Sequence, residues 1–81
     1  MDVEHEIGIL VDAIKENGDA SEGGTFTITF GKVYDATVDT LEALNGTLRA
    51  AKKRKIVSFE KQMLLKGADD AAIVTLLPQE A

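Results

Sequence analysis

One constellation in this chain has the residue types and spacing to act on a partner. Arg49, Lys52, Lys53, Arg54 and Lys55 place five cations in seven positions. Such a cluster raises the local affinity and encounter rate for an acidic surface. Its plainer reading is a set of cations that complements the negative end of a helix, worth roughly 0.3 to 1 kcal/mol each at most, and keeps the chain in solution. Five in seven positions exceed what a helix end needs, so these residues form the candidate partner-binding site.

Bond-making chemistry has far less to work with. Hydrolytic catalysis requires a nucleophile or a metal beside a tuned base. The chain offers one histidine, His5, a few hydroxyls and surface carboxylates, and it has no cysteine. A lone histidine makes no metal site without partners at ligand spacing, so His5 reads as an ordinary first-turn residue. The glycines at 23, 24, 31, 46 and 67 match neither a dinucleotide fingerprint nor a phosphate loop. The expectation is no enzyme, no cofactor and no catalytic or metal residues.

The charge is polarised along the chain. Residues 1–48 carry two basic side chains against ten acidic ones, whereas residues 49–81 carry seven against four, for a net charge of −5. Nucleic-acid binding domains usually have a pI above about 9, and here the sequence pI is near 4.7. The helix that would enter a groove begins with Asp39 and Glu42, which repel phosphates. Nucleic acid is therefore disfavoured as a partner and retained only as the alternative reading.

The cluster must be positioned by a helix. Leu41, Leu44, Leu48 and Ala51 recur at helical spacing, and Asp39 with Glu42 resembles a capping box, which predicts a helix over about 40–53. Gly46 inside it costs on the order of 1 kcal/mol relative to alanine, so either the helix tolerates the loss or another element packs closely there. Upstream, Val3, Ile7, Leu10, Val11 and Ile14 predict a helix over 3–17, with Asp2 as cap and Gly18 as a left-handed terminator. Residues 19–24 read as a flexible turn, 25–30 as a strand, and 31–37 as a short helix or helical turn. After the main helix, Ile56, Val57 and Phe59 start a strand and Met63 to Leu65 form a short extended piece. Gly67 to Asp70 is a turn, and Ile73 to Leu77 is the last strand before Pro78. The Met63–Leu64–Leu65 triplet is either a contact knob or part of a small core, and Tyr34 reads as core edge.

That order is the element sequence of a winged-helix-like α+β fold, three helices packed on a small antiparallel sheet. With 81 residues the expectation is a single domain over 1–81. The absence of cysteine, of a roughly 20-residue apolar run and of a basic leader points to the cytoplasm, with no membrane involvement.

Several segments together resemble the Costars family: Glu42-Ala43-Leu44, the run from Gly46 through Lys52-Lys53-Arg54-Lys55 to Val57, and Phe59. Val3-Glu4-His5-Glu6-Ile7, Phe30-Gly31, Leu64-Leu65 and Gly67 fit the same pattern, so the likeness spans nearly the whole chain. The family comprises short standalone proteins and the carboxyl-terminal domain of the striated-muscle activator of Rho signalling. The resemblance implies a winged-helix-like fold and regulation of the actin cytoskeleton, through actin filaments or an actin-binding protein such as cofilin. It implies a cytoskeleton-associated protein, expected to be monomeric, with the basic helix end as its contact. Departures from the family pattern fall at Thr37-Val38-Asp39, Asn45, Lys61-Gln62-Met63 and Asp69-Asp70. A third reading is a structural module without a partner.

Overall fold

In the computed structural model, which describes residues 3–41 and 43–78, the first apolar stripe forms helix α1 (Val3–Asn17). Its Leu10 and Ile14 are wholly excluded from water, which stabilises the fold by about 1.5 to 3 kcal/mol each. Asp2, the expected cap, lies outside the described residues. The helix stops just before Gly18 as expected, but Gly18 is not left-handed, since positive φ among the described glycines is confined to Gly23, Gly24 and Gly67. Its N–H still donates to the Ile14 carbonyl at 2.7 Å, and a Cβ there would lie 2.6 Å from the Thr27 carbonyl. The glycine serves the close approach of α1 to the following strand.

The stretch expected to be a flexible turn contains strand β1 (Asp19–Ala20) and a 3-10 turn (Glu22–Gly24). β1 pairs antiparallel with β2 (Phe26–Thr29). Phe30, expected to finish that strand, is instead the first residue of helix α2 (Phe30–Thr37). The reason is hydrogen bonding across the sheet end. Phe30 N–H donates to the Ala72 carbonyl at 2.8 Å, Gly31 N–H donates to that of Asp70 at 3.0 Å, and Thr29 Oγ1 accepts from Lys32 N–H at 3.3 Å. The amides that a helix start leaves without partners are thus satisfied at once.

The main helix, α3 (Leu44–Lys53), begins four residues later than the spacing predicts. Thr40 and Leu41 both donate their N–H to the Thr37 carbonyl, at 3.0 and 2.8 Å, a turn that ends α2 and buries Leu41 without extending a helix. The first bond of α3 runs from Thr47 N–H to the Ala43 carbonyl at 3.0 Å. Ala43 is therefore the cap, and Asp39 is exposed in the turn before it. Glu42, the other half of the expected capping box, lies outside the described residues. A Cβ at Gly46 would meet only the Ala43 Cβ, at 3.7 Å, so no other element crowds it and the helix carries the glycine cost.

Strands β3 (Val57–Ser58) and β4 (Ile73–Leu76) complete an antiparallel sheet of order β1-β2-β4-β3. Ile28 lies opposite Val74, and Leu76 lies opposite both Phe26 and Val57, so these five share the face that meets the helices. The expected extended piece at Met63–Leu65 does not form a strand. Leu64 enters the core while Met63 and Leu65 stay exposed, so the triplet divides between its two readings. α1 packs on α2, α3 and β2, giving the α+β arrangement of three helices on a small antiparallel sheet.

Candidate partner-binding surface

The buried stripe of α3 is Leu44, Thr47, Leu48 and Ala51, and burying it turns the intervening positions outward. Arg49 and Lys53 are therefore exposed, one helical turn apart. With Lys52 and Gln62 they line an open depression of about 310 Å³. Arg54 and Lys55 follow at the helix end, both exposed.

The chain reverses here through three amide donors: Arg54 to the Ala50 carbonyl at 3.1 Å, Lys55 to that of Lys52 at 3.0 Å, and Ile56 to that of Ala51 at 2.8 Å. The last two are the paired bonds of a Schellman termination, which favours glycine in its left-handed position. Lys55 occupies that position at φ 61°. A residue with a Cβ is strained there by roughly 1 to 2 kcal/mol.

The five cations are not equivalent. Lys52 is half-buried, its ammonium donates to the carbonyls of Phe59 and Lys61, both at 2.8 Å, and it sits 4.4 Å from the centre of the Phe59 ring. Its donors are committed to holding the loop that follows β3. Among the described residues the two ion pairs are Lys61–Asp69 and Lys66–Asp70, so Arg49, Lys53, Arg54 and Lys55 face no paired carboxylate. Like charges at i and i+4, such as Arg49 and Lys53, cost a few tenths of a kcal/mol, and the helix dipole offsets part of that cost.

The loop over residues 60–72 is held by side chains in place of strand pairing. Asp69 is buried and its carboxylate accepts from Lys61 Nζ and, at 2.8 Å, from Leu65 N–H. The Lys61 bond, followed by the Leu65 amide, holds the Asp69 carboxyl below its usual range. Asp70 accepts from Gly67 N–H at 2.8 Å and from Lys66 Nζ at 3.0 Å, and these bonds in that order lower its pKa as well. The Asp70 bond raises the Lys66 ammonium above its usual value. Gly67 makes this turn at φ 94°, a conformation that glycine adopts without a steric penalty.

His5 is exposed on the first turn of α1. Among the described residues no three His, Cys, Asp or Glu side chains come together to hold a metal. Tyr34 is half-buried against the core, 6.1 Å from the Phe30 ring and 5.4 Å from Lys66 Nζ. No described helix is long and apolar enough to cross a membrane. Sequence reasoning missed Asn45, whose Oδ1 accepts from Leu64 N–H at 3.4 Å, and the pair Asp69–Asp70. A signal for the aspartates was present, since adjacent Asp residues just after Gly67 suit a turn whose amides need acceptors.

A family model described as Costars matches residues 2–77. A Costars family protein of Oryza sativa subsp. indica is 46% identical over 83 residues, covering 100% of this chain and 95% of the relative. The chain belongs to the Costars family. A relative named Costars family protein ABRACL, from Xenopus laevis, is 40% identical over 79 residues, covering 95% of this chain and 98% of its own length. Among solved structures, the solution structure of human HSPC280 protein superposes with a TM-score of 0.84 at 38% identity, covering 98% of this Costars chain and 95% of the other.

Proposed function

We propose that this Costars chain acts as a single non-enzymatic domain that regulates the actin cytoskeleton, binding actin filaments or an actin-binding protein such as cofilin. The contact is the exposed end of α3: Arg49, Lys53, Arg54 and Lys55, with Lys52 supplying charge from behind while it holds the loop. The observation that carries this reading is a set of exposed cations with no paired carboxylate among the described residues, in a chain of net charge −5. The family resemblance supplies the cytoskeletal context, and charge complementarity supplies the kind of surface. The protein works as a monomer in the cytoplasm, associated with the cytoskeleton.

Cosedimentation with actin filaments, alone and with cofilin, across a salt series tests the reading. Binding should weaken as salt rises and be lost when Arg49, Lys53 and Arg54 are changed together to glutamate. Unchanged binding and salt dependence in that triple variant would remove the basic end as the interface. Lys52 is left intact in this test, since its loss would loosen the loop and confuse the result. A mobility assay with random DNA duplex at low salt separates the nucleic-acid alternative, for which a steep salt slope is the signature. No retardation is expected, because the first turn of α3, Leu44 to Thr47, carries no cation.

A further inference from the structure

α3 fastens the segment running beside it at two points. Lys52 Nζ holds the Lys61 carbonyl at 2.8 Å, and Asn45 Oδ1 holds the Leu64 amide at 3.4 Å. Gln62 and Met63 stand between these fastenings, and both are exposed. Gln62 lines the depression shared with Arg49 and Lys53. Leu64 is buried to 1% exposure beside Asn45, one helical turn before Arg49. Met63 therefore stands next to the depression, between a residue that lines it and one pinned further back along the helix. It keeps 46% of its surface in water.

A large, unbranched apolar side chain on the residue that follows Gln62, which lines the depression with the cations, offers a second chemistry next to their charge. Methionine adapts its shape to irregular apolar partners, and Met and Arg are both enriched in protein interfaces. Because the segment is tied on both sides, little ordering of the backbone is left to oppose binding. We propose that Met63 is the apolar anchor of this surface, and that its occupant is an acidic segment of a partner protein carrying one large aliphatic or aromatic side chain. The cations supply attraction and orientation, and the apolar contact supplies selection among acidic segments. This inference rests on the proposed role of the helix end and adds the partner's chemistry.

The test is a titration of the ¹⁵N-labelled full chain with short peptides: glutamates only, glutamates with a central leucine, and lysines with a central leucine. The glutamate–leucine peptide should shift the amides of Arg49, Lys53, Gln62 and Met63 and bind at least about fivefold tighter than glutamates alone, as burial of part of a leucine side chain requires. The lysine peptide should not bind. Met63→Ser should erase the advantage of the leucine and leave the affinity for glutamates unchanged, since an exposed substitution spares the fold. Equal binding of the two acidic peptides, or no effect of Met63→Ser, overturns the anchor while leaving the electrostatic reading in place. Silence of Arg49 and Lys53 toward both acidic peptides overturns both. Shifts at Met63 on raising protein concentration without peptide would assign the surface to a second copy and overturn the proposal.

Discussion

The end of α3 and the loop over residues 60–72 are built from the same charged side chains put to opposite use. In the loop, Lys61 and Lys66 are each matched with an aspartate, and those aspartates also accept backbone amides that no strand satisfies. At the helix end, Arg49, Lys53, Arg54 and Lys55 stand in water without such a match among the described residues, one of them on a strained backbone. Lys52 marks the border, with its charge at the helix end and its hydrogen bonds in the loop. Charge matched locally holds structure, and charge left unmatched remains available to a partner.

The sharpest way to break this comparison is to unmatch the loop. Asp69→Ala removes the acceptor of the Leu65 amide together with the partner of the largely exposed Lys61 ammonium, and should lower the urea midpoint more than any single exchange at the helix end. Because Asp69 and Asp70 have folded pKa values below the usual one of about 3.9, their stabilisation is present above that range and drains as pH falls through the lowered values. An acid titration of stability should therefore be flatter in Asp69→Asn than in the parent. An equally steep acid limb would deny the carboxylates this role.

Next in size is Lys52→Met, which keeps the aliphatic stem but removes the donors to two carbonyls, and should cost about 1 to 2 kcal/mol in denaturant unfolding. Its neighbour sharpens the contrast: Lys53→Met should change stability by less than about 0.5 kcal/mol while weakening partner binding. Equal stability losses at 52 and 53 would erase the distinction between them. Lys55→Gly relieves the left-handed strain, offset by glycine's extra unfolded-state freedom, and should raise stability by roughly 0.5 to 1 kcal/mol. The same change should reduce binding, a loss of function in a more stable protein.

Most of the framework was readable in the sequence because it rests on periodic apolar burial. Ile7, Leu10 and Ile14 announce α1, and Ile28 and Val74 announce strands, whose pairing with each other only the structure shows. The failures share a cause, since each concerns a backbone bond or contact that apolar spacing does not encode. Leu41 fits the helical spacing yet sits in a turn bonded to Thr37. Phe30 fits the strand alternation yet starts a helix because Ala72 and Asp70 supply acceptors. Gly18 matched the terminator pattern, whereas its role comes from the proximity of Thr27. The cation cluster was legible as composition, but the separate status of Lys52 depends on where Phe59 and Lys61 lie. Asn45, Lys61-Gln62-Met63 and Asp69-Asp70, three of the places where the sequence reading expects departures from the family pattern, fall in the contacts that fasten the loop or in the segment those contacts hold.

Chemical-shift and line-broadening mapping of the labelled chain with cofilin, and separately with actin filaments, tests the central claim most directly. The largest changes should fall on Arg49, Lys53, Arg54 and Lys55 and fade as salt is raised, with the loop aspartates little affected. Changes centred on α1 or on the outer face of the sheet, insensitive to salt, would show that the unmatched cations are not the contact.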